Sequence, residues 1–354
     1  MQPERSQGLF DANNQMRRRM CHFSWIEPKR RRGLARQAHS TAALTLLAAT
    51  LVSFSARAAY PDRNITIVCA SGAGGIVDVT TRIVAEHMGK TLGRTIIVQN
   101  ELGAGSTLAI GAVAKSNPDG YTLLTIGPAV GVVGALFPTS TVDVVRDLQP
   151  VSMLGVAPLV LLAHKDVPAA DYASLISYLK AHPNELTTGS NGRGSAGHLA
   201  GALLKKMAGV EIRYIPYRTT PQAQADLIAG RLSMMFLSTL TDHIAAGTLR
   251  PIAVSTMQRW KLFPNVPTLH ELGLKGYEAA TWISMYLPKG APKEGNDRLN
   301  EALKAALADP AVRERFDQIG VIVPSQVGPD YNEKYLKAEV EKWAEILRTN
   351  KDED

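Results

Sequence analysis

Three glycines lie within residues 72–75, directly after a short apolar run. The run 65–69 predicts a buried strand, and the apolar spacing after the glycines predicts a helix. The first turn of a helix carries backbone N–H groups without partners and the positive end of the helix dipole, so it attracts carboxylate or phosphate. We therefore predict that the loop 71–78 holds an anion through its backbone and Ser71, and that Asp78 meets water or a hydroxyl or amine of the ligand.

A second strand-to-helix turn of the same kind lies about halfway along the chain, at 186–198. Arg193 is the only strong cation in either loop, and its planar guanidinium matches a carboxylate with two parallel hydrogen bonds. Because both loops suit the same kind of anion, we predict that they face each other and share one ligand. The predicted ligand-binding residues are Ser71, Gly72, Gly74, Gly75, Val77, Asp78, Ser190, Asn191, Arg193, Gly194, Ser195, His198 and Thr219.

Catalytic interpretations of the second loop stay open as alternatives. Ser195 misses the Gly-x-Ser-x-Gly nucleophile motif by one glycine, and Asp242 with His243 or His270 follows in a permitted chain order, so an exported serine hydrolase is an outside alternative. Residues 192–197 also match the spacing of a dinucleotide-binding loop, but no acidic residue follows the next predicted strand. The histidines show no paired metal spacing, so we predict no metal, no cofactor and no enzyme activity.

The first 58 residues predict a secretory signal peptide that is removed. An uncharged apolar run at 41–55 follows nine arginines and lysines, and Ala56-Arg-Ala58 supplies a small-x-small cleavage pattern. The segment holds ten of the 39 basic and three of the 32 acidic residues, so 29 of each remain and the predicted mature chain is neutral. The basic surplus therefore gives no reason to expect nucleic acid as a partner. Cys69 is the only cysteine after residue 58, which excludes an intramolecular disulfide.

Strand and helix patterns alternate along the rest of the chain and predict an α/β protein. The order strand, helix, strand, helix, strand within 65–126 implies a parallel sheet with helices on its faces. A second alternating block runs through 170–254, and 281–287 predicts one further strand. The last helix repeats apolar residues at Leu336, Val340, Trp343 and Leu347, with 330–333 as its capping box.

An ordered set of short motifs resembles the Bug family, the periplasmic solute-binding receptors of tripartite tricarboxylate transporters. The motifs are Tyr60-Pro-Asp-Arg-x-Ile-Thr, Gly74-Gly-x-x-Asp78, Gly103-Ala-Gly105, Pro118-Asp-Gly-Tyr-Thr122, His198-Leu-Ala-Gly201, Pro216-Tyr-Arg218, Val266-Pro-Thr268 and Gly290-Ala-Pro-Lys293. The resemblance implies a two-lobed periplasmic-binding-protein fold of type II-like form, with the ligand cleft between two α/β domains. It further implies lobe 1 at 59–158 plus 282–354 and lobe 2 at 159–281.

The resemblance also implies the function: capture of a small organic carboxylate in the periplasm by a monomer, for membrane transporter subunits. The alternative partner is a membrane signalling kinase, to which the protein would report its ligand. Three positions depart from the family pattern. Ala70-Ser71 replaces a Pro-Phe pair, so an aromatic wall is expected to be missing, Thr219 replaces a glycine, and the loop 237–242 lacks a usual acidic residue.

Overall fold

The computed structural model describes residues 60–238 and 240–348. Its strands are β1 (Ile65–Cys69), β2 (Ile96–Asn100), β3 (Thr122–Ile126), β4 (Leu148–Pro158), β5 (Val160–His164), β6 (Thr187–Ser190), β7 (Arg213–Pro216), β8 (Met234–Leu237), β9 (Leu249–Val254) and β10 (Ala280–Pro288). The predicted signal peptide lies outside the described residues.

The α-helices alternate with these strands, as the sequence predicts. They are α1 (Ile76–Leu92), α2 (Thr107–Ala114), α3 (Val133–Leu136), α4 (Val144–Asp147), α5 (Tyr172–Ala181), α6 (Ala196–Ala208), α7 (Thr220–Ile228), α8 (Thr241–Ala245), α9 (Lys293–Ala308), α10 (Pro310–Gln318) and α11 (Pro329–Arg348). None of the helices within the described residues is both long and apolar enough to cross a membrane.

The strands form two five-stranded mixed sheets. The first has the order β2-β1-β3-β10-β4, and the second has the order β7-β6-β8-β5-β9. In the first sheet β1 is parallel to β2 and β3, whereas β10 is antiparallel to both of its neighbours. The second sheet repeats this arrangement, with β6 parallel to its neighbours and β5 antiparallel to its own.

The parallel sheet predicted for the strands within 65–126 is confirmed, and the antiparallel strand β10 enters it from a distant part of the chain. The local alternation of strand and helix specifies the parallel unit β1-β2-β3. In contrast, β10 arrives after the whole second sheet has been built and runs back between β3 and β4. Short-range pattern carries no information on the direction of such a returning strand.

Each sheet is covered on both faces by apolar side chains. Along β1, Ile65 and Ile67 join one core cluster while Val68 joins another, as the two-residue period of a strand requires. Along β5, Leu161 belongs to a third cluster and Leu162 to a fourth. Four apolar layers thus hold the two sheets, which explains why a chain without a disulfide among its described residues can be stable.

The chain crosses between the sheets at one hydrogen-bonded point. Only Leu159 separates β4 from β5, and its N–H donates to the Oγ of Ser255, which follows β9. The hydroxyl of Ser255 donates in turn to the carbonyl of Ala279, immediately before β10. Ser255, which is fully buried, therefore ties the outgoing and returning crossings together.

The last helix packs against both halves of the molecule. Leu336 is buried with residues of the first sheet, whereas Trp343 is buried in a cluster formed largely around the second sheet. The predicted apolar stripe is thus confirmed, but the predicted capping box is wrong. Helix α11 begins at Pro329, so Asp330 lies inside its first turn, and the carboxylate of Glu333 accepts from Lys337 one turn further on.

Candidate functional site

A cavity of about 280 Å³ lies at the carboxyl ends of strands from both sheets. Such ends are the usual ligand position in open α/β sheets, because loops converge there on helix N-termini. The first half contributes Ala70, Ser71, Ile76, Val77, Leu102, Gly103, Ala104, Gly105, Ser106, Gly127, Pro128, Ala129 and Thr281. The second half contributes Leu159, Asn191, Gly192, Arg193, Ser195, Ala196, Gly197, Tyr217, Arg218, Thr220, Met235, Phe236, Leu237 and Ser238.

The loop before α1 is shaped by the carboxylate of Asp78. One of its oxygens accepts from the N–H of Gly74 at 3.0 Å. The other accepts from the side-chain amide of Asn100 at 2.8 Å and from the Nε of Arg82 at 3.0 Å. Burial alone would raise the pKa of Asp78, but the hydrogen bonds from Arg82, Asn100 and Gly74 together bring that pKa below its usual range.

Asp78 therefore takes a different place from the predicted one. Its side chain is 4% exposed and does not line the cavity. Because donors from the turn, from β2 and from α1 surround the carboxylate, it holds the loop in shape. Contact of Asp78 with a ligand hydroxyl or amine stays a prediction.

Gly72 brings the first loop into contact with the second half. A Cβ on Gly72 would lie 2.9 Å from the Cγ2 of Thr219, which is closer than real Cβ contacts come. Thr219 directly precedes α7, which belongs to the half of the molecule built around the second sheet. The absence of a side chain at Gly72 thus permits the close approach of the two halves beside the cavity.

The second loop is held from behind by a chain of hydroxyl groups. Ser195 precedes α6, and its Oγ accepts from the N–H of His198 while donating to the Oγ of Ser190 at 2.9 Å. The Ser190 hydroxyl also lies 2.6 Å from the hydroxyl of Tyr214, whose ring packs edge-on against His198. Ser190 and His198 are buried behind the loop.

The structure brings five of the thirteen predicted residues together around the cavity. These are Ser71, Val77, Asn191, Arg193 and Ser195. The other eight lie outside the lining: Gly72, Gly74, Gly75, Asp78, Ser190, Gly194, His198 and Thr219. Most of those eight shape or support the two loops, and ligand contact by any of the thirteen stays a prediction.

The sequence reasoning missed a third loop on the cavity wall, at 102–106. Its backbone is unusual, since Ala104, Gly105 and Ser106 have φ values of 44°, 60° and 74°. Such left-handed conformations are costly for residues other than glycine and are found where surrounding structure imposes them. Helix α2 accordingly begins only at Thr107, after this turn. The two glycines at 103 and 105 were the available signal.

Further missed residues follow the strand ends of the second half. Tyr217 and Arg218 come after β7, while Phe236 and Ser238 lie at the end of β8. The loop 70–71 contributes no aromatic side chain, as expected. The described aromatic side chains that line the cavity are those of Tyr217 and Phe236. The rule that ligands lie at the carboxyl ends of parallel strands would have pointed to all four.

The charged residues of the cavity wall are both cations. Arg193 and Arg218 line it, and no aspartate or glutamate does so among residues 60–238 and 240–348. The same part of the chain contains no group of three or more side chains suited to hold a metal ion. Asp242, His243 and His270, the candidate partners of Ser195 in a hydrolase, all lie outside the lining.

Two α/β halves with one cavity between their loops define a protein of the two-lobed periplasmic-binding-protein class. The family model described as tripartite tricarboxylate transporter family receptor matches residues 80–351. Protein BugT of Bordetella pertussis is 35% identical over 295 residues, covering 82% of this chain and 90% of BugT. This chain belongs to that receptor family, as its motifs predict.

Two solved structures are similar over their whole length. MatC of Rhodopseudomonas palustris, solved with bound malate, is 31% identical with a TM-score of 0.77, covering 81% of this chain and 100% of MatC. A second R. palustris protein, solved with adipate, is also 31% identical with a TM-score of 0.77, covering 82% of this chain and 98% of that chain. The predicted fold class is confirmed.

Proposed function

We propose that this protein captures a small organic carboxylate in the cavity and delivers it to a membrane transporter. The observation that carries the proposal is the charge of the lining, where Arg193 and Arg218 are accompanied by no acidic residue within the described chain. Membership of the receptor family supports it, as do two structurally similar proteins solved with malate and adipate.

The carboxylate would bind through backbone N–H groups at the starts of α1 and α6, through Ser71, and through the arginines. Hydrogen bonds to a charged group contribute about 1.5–3 kcal/mol each. Four of them sum to about 6–12 kcal/mol before the costs of ordering, a range that includes the roughly 8 kcal/mol of micromolar binding. Asn191 and Ser195 line the same wall and supply further polar contacts.

The proposal also includes the cellular setting and the domain boundaries. The protein is exported by the segment 1–58 and works in the periplasm as a monomer. Lobe 1 comprises 59–158 plus 282–354 and lobe 2 comprises 159–281. In support, every strand of the first sheet falls in the first set of residues or within two residues of it, and every strand of the second sheet falls in the second.

The protein performs no chemistry on its ligand under this proposal. Ser195 is engaged as the N-cap of α6 and as a donor to Ser190. A serine hydrolase would need a histidine within hydrogen-bond reach of that hydroxyl and an acid behind it. The candidates Asp242, His243 and His270 do not line the cavity.

A thermal-shift screen of mono-, di- and tricarboxylates against uncharged analogues tests the function. A ligand present at a hundred times its dissociation constant adds about 2.7 kcal/mol to the unfolding free energy, a shift of roughly several degrees. Arg193→Ala and Arg218→Ala should each weaken binding at least about tenfold. Arg298→Ala, an exposed arginine paired with Glu301, is the matched control and should bind like the wild type.

The same screen can overturn the proposal. If no acid raises the melting temperature while an ester is hydrolysed, and Ser195→Ala abolishes that hydrolysis, the protein is an esterase and not a receptor. If uncharged analogues bind as well as the acids do, the arginines are not the recognition groups.

A further inference from the structure

Among the described residues, the charged side chains that line the cavity are all positive, and this affects which carboxylates the cavity accepts. Arg193 and Arg218 can neutralise an anion, but an ammonium group would find no carboxylate on the wall formed by the described residues. Placing an unpaired charge in an enclosed site is costly, since the group loses its water and gains no partner. Amino acids carry such a group at neutral pH, whereas simple organic acids do not.

The carboxylate of the first loop is already committed. Asp78 accepts hydrogen bonds from Gly74, Asn100 and Arg82, which surround both of its oxygens. The side chain is 4% exposed, and turning it toward the cavity would break these three bonds and open the turn before α1. Asp78 therefore cannot serve as the counter-ion of a ligand ammonium.

The carboxylate in contact with the wall residue Tyr217 is committed in the same way. Asp226 accepts from the hydroxyl of Tyr217 at 2.8 Å and from the Nε of Arg231 at 2.8 Å. Tyr217 lines the cavity, and Asp226 does not. The acid is thus held behind the wall residue and neutralised by an arginine on its other side.

A neutral hydroxyl on the cavity wall has no hydrogen-bond partner within the described chain. Ser238 follows β8, lines the cavity and is 6% exposed. Its Oγ is buried without a hydrogen-bond partner among the described residues. A ligand carboxylate or hydroxyl would satisfy that oxygen, whereas an ammonium would gain only one neutral contact from it.

From these observations we infer that the site selects carboxylates without an ammonium group and rejects the amino acids of the same carbon skeleton. The inference rests on the proposed function and narrows its ligand class. Discrimination of this kind can be strong, because a buried group left unpaired costs far more than a missing apolar contact.

Matched ligand pairs that differ only at one carbon test the inference on the wild-type protein. Suitable pairs are succinate and aspartate, adipate and 2-aminoadipate, and 3-phenylpropionate and phenylalanine, with malate as a neutral hydroxyl reference. Isothermal titration calorimetry at pH 7 should show the amine-free member binding at least about tenfold tighter in each pair that binds. An amino acid that binds within threefold of its partner, or tighter, overturns the inference.

A charge placed at Ser238 provides the second test. Ser238→Asp should lower the ratio of the aspartate to the succinate dissociation constant at least about tenfold relative to Ser238→Asn. Ser238→Asn is the matched control, because it has the same shape and no charge, and circular dichroism confirms that both variants fold. An unchanged ratio in a folded Ser238→Asp protein means that the lining charge does not set the preference.

The outcomes separate the two proposals. If amino acids and amine-free acids bind alike, the proposal that the protein captures a carboxylate is retained and the proposal that it rejects amino acids is wrong. If an amino acid alone binds, the selection is reversed while capture of a carboxylate is retained. If no carboxylate of either kind binds, the proposed function itself falls.

Discussion

Trp282 and Trp343 donate their indole N–H groups to the same carboxylate oxygen of Glu339, at 3.2 and 2.8 Å. Trp282 lies on β10 of the first sheet, and Trp343 is buried in the cluster around the second. Lys342 donates to the other oxygen of Glu339 at 3.1 Å. A buried carboxylate on the last helix therefore links side chains from both halves of the protein.

Replacing this carboxylate should lower stability. In Glu339→Gln the two indoles can still share the amide oxygen, but the charge that strengthens both bonds and the pairing with Lys342 are lost. We expect the unfolding free energy to fall by about 1.5–3 kcal/mol, measured by urea denaturation. Glu345→Gln, an exposed position on the same helix, should stay within about 0.5 kcal/mol of the wild type. Equal effects at both positions would show that Glu339 has no special role.

A methyl group at position 72 should oppose closure of the cavity. Gly72→Ala brings a Cβ within 2.9 Å of Thr219 Cγ2, so Thr219 or the loop must shift to make room. We expect carboxylate affinity to fall about tenfold, consistent with overpacking costs of about 1–3 kcal/mol. Gly134→Ala is the control, because nothing lies within 4 Å of its added Cβ.

A second substitution tests whether that effect comes from the contact itself. Thr219→Ser removes the methyl group that the new Cβ would meet, so Gly72→Ala with Thr219→Ser should recover much of the lost affinity. Calorimetric titration of the four proteins of this double-mutant cycle measures the coupling. Strict additivity of the two changes would contradict a direct steric cause.

The stability that Asp78 contributes should depend on pH in a defined direction. The pKa of Asp78 is lowered in the folded protein, so its contribution is present above the unfolded value near 3.9 and is lost as pH falls through the folded value. Asp78→Asn should cost about 2 kcal/mol at pH 7. Urea denaturation at pH 7, 5 and 3.5 should show this difference shrinking only at the lowest pH. A difference that grows on acidification would reverse the assignment.

The hydroxyl of Tyr217 should matter for stability and not for ligand affinity. Burial, followed by the hydrogen bond to Asp226 and the charge of that acid, raises the pKa of Tyr217 to about 12. Because the hydroxyl is used by Asp226, Tyr217→Phe should bind the same carboxylate within about twofold while losing about 1 kcal/mol of stability. A loss of affinity of tenfold or more would show that the hydroxyl contacts the ligand.

The order of strands and helices could be predicted from the sequence because it depends on local patterns. The run 65–69 and the stripe through Leu336 and Trp343 follow the periods of strand and helix, and the structure buries them. The direction of β10 was not readable, since its pairing with β3 and β4 joins residues more than a hundred positions apart.

Part of the candidate site could be predicted from the sequence, for a related reason. Glycines and Arg193 mark the two loops in the sequence, and both loops reach the cavity. The role of Asp78 depends on Asn100, which lies on the neighbouring strand 22 residues later and has no signature of its own. Leu102 and Ser238 reach the cavity only because strand ends converge, which is a property of the sheet and not of their local sequence.

Leu159 is both the single residue between β4 and β5 and part of the cavity wall. Ser255 bonds it to the returning crossing, so we expect any rotation of one sheet against the other to turn close to this point. Atoms near a pivot move least. A ligand that touches Leu159 is therefore expected to keep that contact whether the halves are apart or together.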